Sequence, residues 1–169
     1  MKGLISRRQS LQGVAAWLGA CLCAPALWAS ETVPALSLPK ADGSVVQLFN
    51  PAAKFTYVDF WASWCGPCRQ SFPWMNKVHQ RFKDKGLNVV AVNLDAKRAD
   101  ADRFLAEMPA QFTVLFDPVG RSARDFQVKG MPSSVLVNAQ RELVWRHTGF
   151  KDSDAAGIEI RLAQALGLG

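Results

Sequence analysis

This sequence predicts an α/β fold, a central mixed β-sheet flanked by helices, and three observations carry the prediction. A β-branched and aromatic run, Phe55 to Ala62, leads within three residues into a helical pattern that opens at Cys65. Strand-like and helix-like stretches then alternate from Asn88 to Phe126, the order in which layered α/β domains are built. The chain has 169 residues, 49% of them apolar and 20% charged, which suits one core of ordinary size. With 12 Gly and 9 Pro, the composition excludes a disordered or collagenous chain.

The first segment reads as an export leader, residues 1–29, ahead of a domain at 30–169. Lys2 to Arg8 is positively charged, Leu11 to Ala29 is apolar except for Gln12, and small residues close the run. The uninterrupted apolar stretch, Val14 to Ala29, is 16 residues long with Pro25 inside it, short of the roughly 20 that a spanning helix needs. Cleavage fits after Ala26 or Ala29, and an uncleaved anchor is the alternative. Ser6-Arg7-Arg8-Gln9-Ser10-Leu11 resembles a twin-arginine signal, with Ser10 where Phe is usual, and Leu18-Gly19-Ala20-Cys21 resembles a lipoprotein box. Each of these readings sends the domain outside the reducing cytoplasm, to the bacterial periplasm, free or membrane-tethered.

Removing the leader also settles the charge. The whole chain has 20 basic and 14 acidic residues; without Lys2, Arg7 and Arg8 the balance is 17 to 14, a net +3. That is too weak for a nucleic-acid partner, and no basic-aromatic stripe supports one.

Of four cysteines, Cys21 and Cys23 lie in the leader, which leaves Cys65 and Cys68 in the domain. A bridge over two intervening residues constrains the unfolded chain little, so the pair is there for chemistry or metal rather than for stability. Phe55 to Ala62 reads as a buried strand, and Phe72, Met75, Val78, His79 and Phe82 mark the helix that follows, ending near Gly86. The cysteines therefore open the helix. Pro67 falls in the first turn, where its missing N–H costs nothing, whereas Pro73 lies inside the pattern, removes the bond to the Arg69 carbonyl and is expected to kink it.

At the helix start, Cys65 meets unpaired N–H groups and the positive end of the macrodipole. Both favour thiolate over thiol and lower its pKa from about 8.5 toward about 7 or below. Cys65 is then the nucleophile and Cys68, one turn in, the resolving cysteine that releases the reduced substrate. Asp59 interrupts the apolar strand six positions before Cys65; buried there, its pKa is raised and it can take the Cys68 proton through water. The other reading of Asp59 is a carboxylate at a strand edge facing solvent.

The rest of the chain supplies scaffold. Asn88 to Asp95 reads as a strand, Ala99 to Met108 as a helix, Thr113 to Asp117 as a short strand, Ser122 to Phe126 as a short helix and Leu143 to His147 as a late strand. A last helix, Asp154 to Leu166, is capped by Ser153 or Asp152 and buries Ile158, Leu162, Ala165 and Leu166. Trp64 is expected beside the cysteines, Trp61 and Trp145 in the core, and Trp74 either in the core or beside Trp64 on an exposed docking surface.

Asp59-Phe60-Trp61-Ala62-Ser63-Trp64-Cys65-Gly66-Pro67-Cys68-Arg69 resembles the thioredoxin active-site segment, and Gly130-Met131-Pro132-Ser133-Ser134 resembles that fold's Gly-x-cisPro-Thr loop. The resemblance implies a thioredoxin-like fold and a cis Met131-Pro132 peptide facing the cysteines. It also implies a substrate site formed by Trp64, Gly66, Pro67, Met131 and Pro132, with the Met131 backbone offered to an extended strand. The 64 positions from Cys68 to Pro132 exceed a minimal thioredoxin by some twenty, and the added helix-strand element is similar to the insertion in the TlpA/ResA group of exported thioredoxin-like proteins. Pro34 to Leu38 and Val45 to Leu48, around Asp42-Gly43, resemble that group's amino-terminal hairpin. Resemblance spans residues 33–166. Two departures stand out: Ser71 occupies the position where the group commonly has Glu, and Asp59 matches cytoplasmic thioredoxins where the group frequently has Asn.

The implied function is exported dithiol-disulfide exchange, with Cys65 and Cys68 forming the redox disulfide and no cofactor required. Gly66-Pro67 between the cysteines points to a reductant, for which thioredoxin at about −270 mV and DsbA at about −120 mV are the references. By family analogy the chain, as a monomer, takes electrons from a membrane thiol-disulfide donor and passes them to periplasmic protein disulfides, in cytochrome c maturation or at copper-centre cysteines. Two alternatives remain: a metallochaperone holding Cu(I) on Cys65 and Cys68, and a thiol peroxidase using Arg69 and Ser63. His79 and His147 are read as ordinary histidines rather than third ligands.

Overall fold

The computed structural model describes residues 31–169, so the leader, with Cys21, Cys23 and both export motifs, lies outside the described residues. The elements run β1 (Ser37–Pro39), β2 (Val45–Gln47), β3 (Phe55–Trp61), α1 (Gly66–Phe82), a 3-10 turn (Lys83–Lys85), β4 (Leu87–Asn93) and α2 (Arg98–Glu107). They continue with β5 (Thr113–Phe116), α3 (Arg121–Asp125), β6 (Ser133–Asn138), β7 (Leu143–Thr148) and α4 (Asp152–Ala165). The main sheet has the order β5-β4-β3-β6-β7, with β3, β4 and β5 parallel and β6 and β7 antiparallel to their neighbours. This is the α/β architecture with a mixed central sheet.

β3 lies in the middle, which is why it reads as a nearly continuous apolar run. Alternation sends Tyr57, Asp59 and Trp61 to one face and Val58 and Phe60 to the other. The first face packs under α1, α2 and α4 with Phe72, Met75, Phe104, Ile158 and Leu162, and holds both cysteines. The second is covered by Val33, Leu36, Leu38 and Leu48 from the amino-terminal segment and by Phe126 after α3. β1 and β2 pair antiparallel around Asp42 and Gly43, and the Asp42 carboxylate accepts from the Ser44 N–H at 2.9 Å.

The turn from α1 into β4 depends on Gly86. Its φ of +101° suits glycine, and a Cβ there would meet the Lys54 side chain at 2.9 Å. α1 runs through Pro73, whose side is exposed.

Two expectations need correction or resolution. α4 begins at Asp152, with Lys151 in the cap position, so neither Ser153 nor Asp152 is the cap. The Asp154 carboxylate reaches back instead and accepts from the Lys151 N–H at 2.9 Å. Trp74 belongs to the core at 7% exposure, edge-on to Tyr57 and packed on Phe150, with its Nε1 donating to Glu159 at 3.0 Å. Among the described residues no helix is long and apolar enough to cross a membrane.

Candidate active site

β3 ends at Trp61, and four residues carry the chain from the sheet to the start of α1. Asp95, just past β4, fastens this link: its carboxylate accepts from the Ser63 N–H and Ser63 Oγ, both at 2.9 Å, and from Asn93 Nδ2 at 2.8 Å. Trp64 then stands out at 72% exposure, and Cys65 takes the N-cap of α1 with extended backbone (φ −85°, ψ 105°). The Cys65 Sγ accepts from the Cys68 N–H at 3.2 Å, one of the donors that a helix start leaves unpaired. Cys65 and Cys68 are joined in a disulfide. Cys65 keeps a rim of exposure at 5%, whereas Cys68 is fully buried.

No acidic residue lies in the first turn of α1, so nothing there opposes the positive end of the macrodipole. Arg69 lies over the Phe104 ring, 4.9 Å from its centroid, and pairs with Glu107 at 2.8 Å. Both partners of that pair are well exposed, so water screens it. Ser71, where the resembled group commonly has Glu, is buried and donates to the Cys68 carbonyl at 3.0 Å, a bond internal to the helix.

The second motif comes in from β6. The Met131–Pro132 peptide is cis, Pro132 is buried, and Met131 packs against the cluster that contains both cysteines. The Gly149 N–H donates to the Pro132 carbonyl at 2.7 Å and Ser133 Oγ to the Gly130 carbonyl at 2.6 Å, which fixes the loop on both sides. Gly66 and Pro67 are exposed in the first turn of α1.

Asp59 is 1% exposed in the central strand, so the strand-edge reading does not apply. Burial pushes its carboxyl from an ordinary 3.8 up to about 7, against a lowering influence from Ser134, whose Oγ donates to Oδ1 at 2.8 Å. Tyr57, two residues earlier on the same face, is raised well above its ordinary 10, first by burial and then by the Asp59 charge.

Sequence reading missed three of these residues. Ser134, Asp95 and Glu107 act across separations of 75, 32 and 38 positions, which no local pattern reports. Only Ser134 left a trace, as a polar residue at the mouth of an apolar strand. His79 and His147 join no metal set: among the described residues no three His, Cys, Asp or Glu converge.

The Redoxin family model matches residues 29–160. Thiol-disulfide oxidoreductase ResA of Oceanobacillus iheyensis is 32% identical over 104 residues, covering 62% of this chain and 54% of that protein. ResA of Bacillus subtilis is 28% identical over 116 residues, 69% of this chain and 65% of that protein, so the match takes in under two thirds of either relative. A crystal structure from Chlorobium tepidum, described as a thiol:disulfide interchange protein DsbE, superposes with a TM-score of 0.78 at 49% identity, covering 82% of this chain and 97% of that one.

Proposed function

The chain belongs to the Redoxin family, and from that premise we propose that it is a dithiol-disulfide oxidoreductase of the TlpA/ResA type, acting as a reductant of protein disulfides. One observation carries the reading: Cys65 caps α1 with its sulfur at the edge of solvent, disulfide-bonded to a Cys68 that solvent does not reach. In the reduced protein, the Cys65 thiolate attacks a substrate disulfide, forms a mixed disulfide and expels one substrate thiolate, which takes a proton from water. Asp59 accepts the Cys68 proton; Cys68 then attacks Cys65 Sγ, the bond from Cys65 to the substrate breaks, and the second substrate thiolate leaves. Two electrons have passed from the dithiol to the substrate.

The substrates are protein disulfides. Exposed Trp64, Gly66 and Pro67 with Met131 and Pro132 make a low surface around the sulfurs rather than a pocket for a small molecule, and the depression beside it, lined by Ser63, Arg69 and Glu107, holds only about 210 Å³. The chain works in the bacterial periplasm, takes its electrons from a membrane thiol-disulfide donor, and serves cytochrome c maturation or copper-centre cysteines.

Insulin reduction with cysteine variants tests this. Cys65→Ser is expected to lower the rate to background, and Cys68→Ser to accumulate a one-to-one mixed disulfide with insulin, read by mass spectrometry. Trapping by Cys65→Ser alone overturns the roles, and tight Cu(I) binding without insulin reduction overturns the activity.

A further inference from the structure

Asp59 ionises in a setting with one polar partner. Directly opposite it in β4 stands Ala91, which offers no charge, and opposite it in β6 stands Ser134, 3% exposed. Ser134 Oγ donates to Oδ1 at 2.8 Å, while Oδ2 is buried without a hydrogen-bond partner among the described residues. The other titratable groups on this face are accounted for. Tyr57 flanks Asp59 on β3 and its hydroxyl also hydrogen-bonds Ser134, and the two cysteines come from α1. His147 of β7 stands one strand further, opposite Ser134, with its Nε2 3.7 Å from Asp154 of α4. Asp95, past β4, is committed to Ser63 and Asn93.

We propose that Ser134 is the positioning residue of the proton step: by occupying Oδ1 it leaves Oδ2 as the oxygen that takes the Cys68 proton, and it stabilises the ionised carboxylate that must receive it. The inference rests on the reading of Asp59 as proton carrier given above. A hydroxyl has one proton to donate, and donating it to a carboxylate favours the charged form. Burial works the other way, pushing Asp59 up to about 7. Without the Ser134 bond, burial acts alone, and less of Asp59 is ionised and able to accept at neutral pH. The step itself is a proton transfer from the Cys68 thiol through water to Oδ2; the Cys68 electron pair then forms the bond to Cys65 Sγ, the pair of the broken bond leaves on the substrate sulfur, and Oδ2 later returns its proton to water.

The test uses the mature reduced protein mixed with oxidised glutathione, following decay of the Cys65-glutathione mixed disulfide between about pH 5 and pH 9. Wild type is expected to show an inflection from Asp59. In Ser134→Ala it moves up by about one pH unit, with a resolving rate about fivefold lower at pH 7, and Ser134→Thr, which keeps the hydroxyl, restores the wild-type profile. Adding Ser134→Ala to Asp59→Asn, which has no inflection, changes nothing further. If Ser134→Ala does not fold, Ser134→Cys, a weaker donor, is expected to move the inflection in the same direction. An unmoved inflection in Ser134→Ala or its stand-in Ser134→Cys, with Asp59→Asn having abolished it, overturns the role of Ser134 and leaves the carrier intact. An inflection that survives Asp59→Asn overturns the carrier itself.

Discussion

Burying Asp59 in the middle of β3 makes its ionisation costly, and the pH dependence of stability follows from the direction of the shift. The folded value, about 7, lies above the ordinary 3.8. Below both values folded and unfolded chains hold the proton alike, and the residue contributes nothing. Between them only the folded chain holds it, so stability falls as pH rises through this window and the full penalty stands above about 7. Asp59→Asn removes a penalty on the order of a few kcal/mol at pH 8 and almost none at pH 3.5, so its melting temperature is expected to exceed wild type at the higher pH alone. An equal shift at both values contradicts an ionisable, buried Asp59. The same variant is expected to slow resolution near neutral pH. Asp59, Cys65 and Cys68 were legible because each is set by near neighbours in sequence: a carboxylate inside an apolar run and a dithiol at a strand-to-helix join. Ser134 was not, because its contact depends on how β6 registers against β3, a tertiary outcome.

Among the elements, periodicity located the strands and helices and mistook some edges. Trp74 shows why a helix pattern alone falls short. α1 packs on the sheet and against α4 at once, so its buried face widens beyond a single stripe, and Glu159 supplies a partner for the indole N–H. α4 began two residues early because Asp154 serves the Lys151 N–H from inside the first turn, a role that a scan for a preceding Ser or Asp does not find. The link from β3 to α1 is the element on which the site depends, and Asp95 secures it by accepting three hydrogen bonds. Asp95→Ala leaves the partly buried Ser63 N–H and the Asn93 amide without their acceptor. A loss of about 2–3 kcal/mol in urea unfolding is expected, together with slower attack by Cys65. A loss below about 0.5 kcal/mol, the range of ordinary surface substitutions, contradicts this anchoring role.

On the scale of the whole molecule, the fold brings two distant stretches of chain to one end of the sheet, the β3–α1 join and the Met131–Pro132 loop, and leaves Trp64 standing beside them. What the sulfurs do there is decided by how strongly the thiolate is favoured over the disulfide, and about 30 mV corresponds to only 1.4 kcal/mol. In the proposed mechanism, a helix start with no acidic residue in its first turn is what favours the Cys65 thiolate, and burial is what holds Cys68 as a thiol until a substrate is attached. Equilibration of the Cys65–Cys68 pair with glutathione measures this balance directly. A reduction potential near about −270 mV is the result predicted for a reductant, and one near about −120 mV, the value of a strong oxidant, contradicts it.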